Sequence, residues 1–273
     1  MKATSFSLLL PASLLLVNTL TQASEKAASS QGWQLVWSDE FEADGLPNPD
    51  KWNYDVGGHG WGNEELQYYT DEKLENARVE DGHLIIEAHK EERESSAYTS
   101  ARLVTRETQA WTYGRFEIRA RLPEGLGTWP AIWMLPVDWD LGSGSWPDVG
   151  ELDIMEHVGY DVGTVHASAH SKNYQWQAGT QKTGTISVPD AAEEFHTYAF
   201  EWTEDEVKAF VDDKLYFTFS NENSGWESWP YQRDYYLLLN VAVGGLWGAA
   251  KGIDEDCFPQ RMEVDYVRVY QKN

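Results

Sequence analysis

The chain has 273 residues, with 21 Lys and Arg against 45 Asp and Glu, a formal net charge of −24. Hydrophobic residues at 41% suffice for a sizeable core and exclude wholesale disorder, while the negative charge makes nucleic-acid phosphates and anionic membranes poor partners. The 14 Trp and 14 Tyr exceed what a core requires and point to flat aromatic platforms on the surface.

In chain order, Lys2 opens a short positive region, Leu8 to Leu16 is apolar but for Pro11, Ala12 and Ser13, and small or polar residues lead to Ala23. This pattern predicts a secretory signal peptide over 1–23, because the apolar run is shorter than the ~20 residues that span a bilayer. The mature protein is therefore expected outside the cytoplasm, secreted or periplasmic. Residues 24–31, SEKAASSQ, read as a polar linker, and a single β domain is expected over 32–273.

Strand-like runs follow at 34–38, 83–89, 102–105, 114–121, 150–156, 164–170, 196–202, 206–211, 214–219, 235–241 and 262–271. Turn clusters such as PNPDKW, VEDGH and LPEGLG separate them, which indicates an all-β sandwich or jelly roll. Only 190–194 could make a helical turn. The single cysteine, Cys257, has no partner for a disulfide and no metal-ligand neighbour, and reads as a small packed side chain.

The segment GELDIMEH (150–157) carries the strongest chemical pattern. Residues two apart share a strand face, so Glu151 and Asp153 point the same way, while Glu156 at an odd offset would face away. One bulge around Ile154 and Met155 would return it to their side. Three carboxyls on one face repel each other and raise at least one pKa. An ionised and a protonated carboxyl about 5–5.5 Å apart are the equipment of a retaining glycosidase. A solvated acidic face or a calcium site would use the same residues. The surroundings favour sugar chemistry: apolar residues alternate with the acids, and WPAIWMLP (129–136) and Trp146 lie nearby. Trp129 and Trp133, four apart, would share one face of a straight strand.

The blocks VWSDEF (36–41), GGHGWGNEELQYYT (57–70), VEDGHLIIEA (79–88), YTSARLVTRE (98–107), YGRFEIRARLPEGLGTWPAIWMLP (113–136), WPDVGELDIMEHVG (146–159), FHTYAFEW (195–202), LNVAVGGLWG (239–248) and VDYVRVYQ (264–271) resemble the laminarinase-like branch of family 16 glycoside hydrolases. The resemblance runs in order through essentially the whole mature chain. It implies a β-jelly-roll of two antiparallel sheets with a concave substrate cleft, and hydrolysis of β-1,3-glucan within the chain, with no cofactor for catalysis and a monomeric state. Glu151 matches the nucleophile, Asp153 its partner and Glu156 the acid/base. Asn63, Arg102, Trp129, Trp133, His166 and Trp247 match residues that face bound sugar. A structural Ca²⁺ is implied at Glu40, the backbone oxygen of Gly82, and Asp265. His170 reads as a structural histidine, and His157, next to Glu156, is given no role.

Two stretches depart from the family pattern, DLGSGSWPD (140–148) and Tyr231 in WESWPYQRDYY (226–236). Three other readings compete. A non-catalytic glucan-binding lectin would lose one or both signature glutamates, and a calcium-dependent adhesion domain would leave the tryptophans unexplained. Family enzymes acting on mixed-linkage glucan, agarose or carrageenan remain, although a sulfated substrate calls for cations this chain has few of.

Overall fold

The computed structural model describes residues 32–272. The signal peptide and linker expected over 1–31 lie outside the described residues. The strands are β1 (Trp33–Asp39), β2 (Asn53–Tyr54), β3 (Gln67–Tyr69), β4 (Ala77–Glu80), β5 (His83–Ala88), β6 (Tyr98–Ser100), β7 (Arg102–Val104), β8 (Gly114–Arg121) and β9 (Thr128–Pro136). They continue with β10 (Glu151–Glu156), β11 (Thr164–His170), β12 (Lys182–Ser187), β13 (His196–Trp202), β14 (Glu206–Val211), β15 (Lys214–Ser220), β16 (Tyr235–Val243) and β17 (Gln260–Lys272).

Two large antiparallel sheets form, as expected for the jelly roll. One has the order β15-β14-β13-β8-β17-β5-β4, with β1 also paired to β17; the other runs β12-β11-β10-β9-β16-β7-β2. Their facing sides share a core that includes Ile86, Phe116, Leu152, Met155, Phe200, Trp202, Leu237 and Val267. Alternation explains the choice: Leu152 turns into the core while Glu151 and Asp153 turn to the other face of β10. The central strand β16 is buried at all nine positions, because its second face is also covered by side chains.

The difference from the expected strands lies in the short ones, in β9 and in β12, which was not expected. β2, β3, β4 and β6 are two to four residues long and form through pairing rather than through their own pattern. β9 is interrupted by Pro130, yet it is a central strand. Its ladder with β10 ends at the pair Glu156–Ala131, so the N–H that Pro130 lacks falls beyond the last rung. There the Pro130 carbonyl accepts from the backbone N–H of His157 at 3.2 Å.

Residues 190–194 make one hydrogen-bonded turn, Glu194 N–H donating to the Asp190 carbonyl at 2.8 Å, and no helix. Two short elements were not legible beforehand. One is a 3₁₀ turn at Trp176–Ala178 and the other is α1 (Gly245–Gly248). Gly244 and Gly245 enter α1 with φ of 75° and 73°, a conformation that side chains disfavour. A Cβ on Gly245 would also stand 3.0 Å from the Asn63 carbonyl, so glycine lets the loop before β3 and α1 close on each other.

Candidate active site

The outer face of the seven-stranded sheet carries the carboxyl cluster. β10 pairs with β11 through Glu151–His170, Asp153–Ser168 and Glu156–His166, with a register shift between Asp153 and Glu156. The ladder with β9 shifts at the same place, between Asp153 and Met155. This is the bulge that parity required, and it returns Glu156 to the face of Glu151 and Asp153. Ile154 and Met155, its two central residues, are fully packed in the core.

Burial raises the pKa of all three carboxyls. Asp153 is pushed up to about 8. Glu156 is also pushed up to about 8, by burial first and by the charge of Asp153 second. Glu151 is raised well above the usual carboxylate range by the same two causes. Its side chain keeps 17% of its surface open to the cleft, and Arg102 and His170 pull its pKa the other way. Three such groups cannot all be ionised near neutral pH, so the cluster holds protons there.

Two aromatic walls flank it. On the Glu156 side, the Trp129 indole N–H donates to Glu156 Oε1 at 3.0 Å. Trp247, on α1, meets Trp129 edge-on at 5.4 Å, and His166 meets Trp247 edge-on at 4.9 Å. Burial holds the His166 pKa below its ordinary value, which keeps the ring neutral. The other wall is built on Arg102. Its guanidinium lies 4.7 Å from the Trp61 ring and 4.6 Å from the Trp133 ring, sandwiched between them. Asp55 neutralises it at 3.1 Å and also binds Arg106 at 2.7 Å.

A chain of hydrogen bonds orients this second wall. Trp133 N–H donates to Asn240 Oδ1 at 2.8 Å, and Asn240 Nδ2 donates to the Tyr69 hydroxyl at 3.0 Å. Tyr69 donates to Glu65 at 3.2 Å, and Glu65 also accepts from Gln67 at 2.7 Å and from Asn63 at 3.4 Å. The backbone N–H of Leu246 donates to the Asn63 carbonyl at 2.8 Å, which ties the two walls together. All nine residues expected in the cleft therefore sit in this one constellation.

Sequence reading missed Asp55, Trp61, Glu65 and Asn240, and took His170 for a structural histidine. Asn240 had a usable signal, a lone amide in the apolar run LLLNVAV. His170 is no isolated structural residue: its Nε2 stands 3.2 Å from Asp153 Oδ2 and 3.9 Å from Glu151 Oε1. His157, as expected, has no place in the cleft. It is fully buried, its Nε2 accepts from the Gly163 N–H at 3.1 Å, and burial pushes its pKa down to about 4.

The residues expected to hold a calcium ion, Glu40, Gly82 and Asp265, lie around a break in the other sheet. β17 pairs with β5 up to Val264 and with β1 from Val267, and Asp265 occupies the gap, on a register shift against β8. Glu40 follows β1 and Gly82 precedes β5, so all three border that gap. Both carboxylates already have cationic partners, Arg268 for Glu40 and Arg119 for Asp265.

Carboxyls on the floor of a concave sheet, between walls of flat indole rings, define a carbohydrate-cleaving sandwich: rings stack on the apolar faces of sugars, and the acids reach the bond between two units. A family model described as "Glycosyl hydrolases family 16" matches residues 61–268, and the chain belongs to that family. It is 56% identical over 253 residues to a beta-glucanase of Rhodothermus marinus, covering 91% of this chain and 88% of that one. A glucan endo-1,3-beta-glucosidase of Cryptopygus antarcticus is 36% identical, over 88% of this chain and 93% of its own. Among solved structures, a laminarinase from Rhodothermus marinus superposes with a TM-score of 0.87 at 58% identity, covering 88% of this chain and 97% of that chain.

Proposed function

We propose that this chain is a retaining endo-β-1,3-glucanase acting on laminarin-type polysaccharide. The observation that carries this reading is the bulged strand, which lines up Glu151, Asp153 and Glu156 between the Trp129–Trp247 and Trp61–Arg102–Trp133 walls. The relatives whose names specify β-1,3-glucan cleavage support the substrate class.

In the first step Glu151 attacks the anomeric carbon as the glycosidic C–O bond breaks, and Glu156 passes its proton to the departing oxygen. In the second, Glu156 takes a proton from water, which attacks the same carbon and releases Glu151. Asp153 sets the charge between the two. Asn63, Arg102, Trp129, Trp133, His166 and Trp247 hold the flanking glucosyl units. Binding across an open sheet face admits the middle of a chain, so early products from laminarin should be mixed oligosaccharides that shorten with time. Glucose as the sole early product would replace this reading with an exo-acting one. Parallel reducing-end assays on lichenan, agarose and carrageenan define the linkage range.

Residues 1–23 are proposed to direct export, 24–31 to act as a linker and 32–273 to be the catalytic domain, working as a monomer. Amino-terminal sequencing of protein recovered from medium or periplasm tests the cleavage near Ala23.

A structural Ca²⁺ is proposed at Glu40, the Gly82 carbonyl and Asp265, where hard oxygen donors of the right kind border one gap. The ion competes there with Arg119 and Arg268. A chelator should lower Tm by about 2–4 °C for each kcal/mol of binding lost, with activity at low temperature intact. An unchanged melting curve in both the wild type and Asp265→Ala removes the ion.

A further inference from the structure

We propose that Trp226 and Arg233 are positioning residues: they clamp the 138–148 loop as a fixed bank of the cleft and act on the substrate through the Trp146 ring that this loop carries. The inference rests on the proposed glucan-cleaving function and adds to it what holds the polysaccharide on the Glu151 side.

The two stretches that depart from the family pattern, 140–148 and 226–236, meet in space. Trp226 lies against Gly142, where a Cβ would stand 2.6 Å from the indole, so the glycine makes room for the ring. Lys172, two residues past β11, places its Nζ 4.8 Å from the centre of the same indole. The Arg233 guanidinium donates to the Asp138 carbonyl at 3.0 Å and pairs with the Asp140 carboxylate. At the far end of the loop, the Tyr235 hydroxyl donates to the Val149 carbonyl at 3.0 Å, and the Tyr231 hydroxyl to the His170 carbonyl at 2.7 Å.

The loop also carries hydrogen bonds of its own. Asp148 accepts from the Ser143 N–H at 2.8 Å, and the Gly144 N–H donates to the Leu141 carbonyl at 2.9 Å. Trp226 and Arg233 therefore grip a compact unit, and holding it at two points fixes the rest of it, Trp146 included. Trp146 is half-buried and packs on the His170 ring at 5.8 Å, and His170 Nε2 stands 3.9 Å from Glu151 Oε1. Its ring thus lies off the Glu151 end of β10, while the Trp129–Trp247 wall stands at the Glu156 end.

A ring fixed before the sugar arrives spares the entropy of ordering it and its loop on binding. The clamp supplies that preorganisation from behind the bank, through Gly142 at the loop's middle and Asp138 and Asp140 at its start. Stacking of this kind is made alike in the ground and transition states, so its loss raises KM and leaves kcat.

The test is KM and kcat on laminarin for the wild type, Trp226→Ala, Trp226→Phe, Arg233→Gln, Trp146→Ala and the double variant Trp146→Ala/Trp226→Ala. Trp226→Ala and Arg233→Gln should each raise KM about three- to tenfold with kcat within about twofold, the signature of lost uniform binding. Trp226→Phe, which keeps a ring against Gly142, should recover most of the loss. In the Trp146→Ala background, adding Trp226→Ala should raise KM no further, because both changes remove the same interaction. A merely structural role would lower Tm and the active fraction at unchanged KM, and full additivity with Trp146→Ala would mean that Trp226 acts by another route; either result overturns the proposal. Should Trp226→Ala fail to fold, Arg233→Gln gives the same reading of KM and the same cycle with Trp146→Ala. A wild type that leaves laminarin uncut fails the proposed function, whereas an active wild type whose KM neither variant moves fails this inference alone.

Discussion

Glu151→Ala should lose turnover by a factor on the order of 10⁴ or more, as removal of a covalent nucleophile does. The cavity left behind should admit azide to the same face of the sugar. Attack from there on an activated aryl β-glycoside inverts the centre and gives an α-glycosyl azide. Glu156→Ala should lose about 10²–10⁴-fold on laminarin, the range for a general acid. It should keep the first step with a good leaving group and give a β-azide from the covalent intermediate. Opposite stereochemistry in the two variants would exchange their roles. Release of an α-anomer by the wild type would exclude retention altogether.

The same two substitutions should raise Tm at neutral pH. A carboxyl whose pKa is higher folded than unfolded stabilises the fold while both states are protonated, and that contribution is lost as pH rises through the folded value. For Glu156 the window runs from its ordinary 4.5 to about 8. At pH 7 most of the loss has been incurred, so an alanine relieves it. Melting curves of wild type and Glu156→Ala at pH 5 and pH 7.5 should diverge at the higher pH only.

Trp133→Ala should lower kcat/KM on laminarin about 30-fold, the scale of a central aromatic contact worth ~2 kcal/mol. The ring does three things at once. It covers one side of the Arg102 guanidinium, donates its N–H into the Asn240–Tyr69–Glu65 chain, and under the proposed function stacks on sugar. Trp133→Phe keeps a ring but drops the N–H, and should fall between wild type and alanine. Arg102→Lys should lose nearly as much as Arg102→Ala, because a compact ammonium cannot lie flat between two indoles. An unchanged kcat/KM in Trp133→Ala would remove this wall from the substrate path.

The sheet architecture was legible because most long strands alternate cleanly: 114–121, 164–170, 196–202 and 206–211 match β8, β11, β13 and β14 in both bounds. β9 was obscured by Pro130, whose tolerance depends on where the neighbouring ladder stops, a fact about β10 and not about β9. The three acids could be found from strand parity, since an odd offset leaves a bulge as the local means of bringing Glu156 round. Their supporting groups could not. Asp55, Glu65 and Asn240 act through contacts between segments far apart in the chain, and His170 faces Glu151 only through the register of two strands.

The burial of β16 on both faces has a consequence for how this enzyme can diversify. A strand buried at all nine positions cannot be retuned for a new glycan without risking the fold. The rim has more freedom. The loop that carries Trp61 and Asn63, the Gly/Ser-rich stretch before β10, and α1 with Trp247 stand on connections where substitution and insertion are cheaply tolerated. Libraries aimed at altered linkage preference should therefore yield folded variants when they randomise these three segments with Gly244 and Gly245 kept, and mostly unfolded protein when they randomise 235–243.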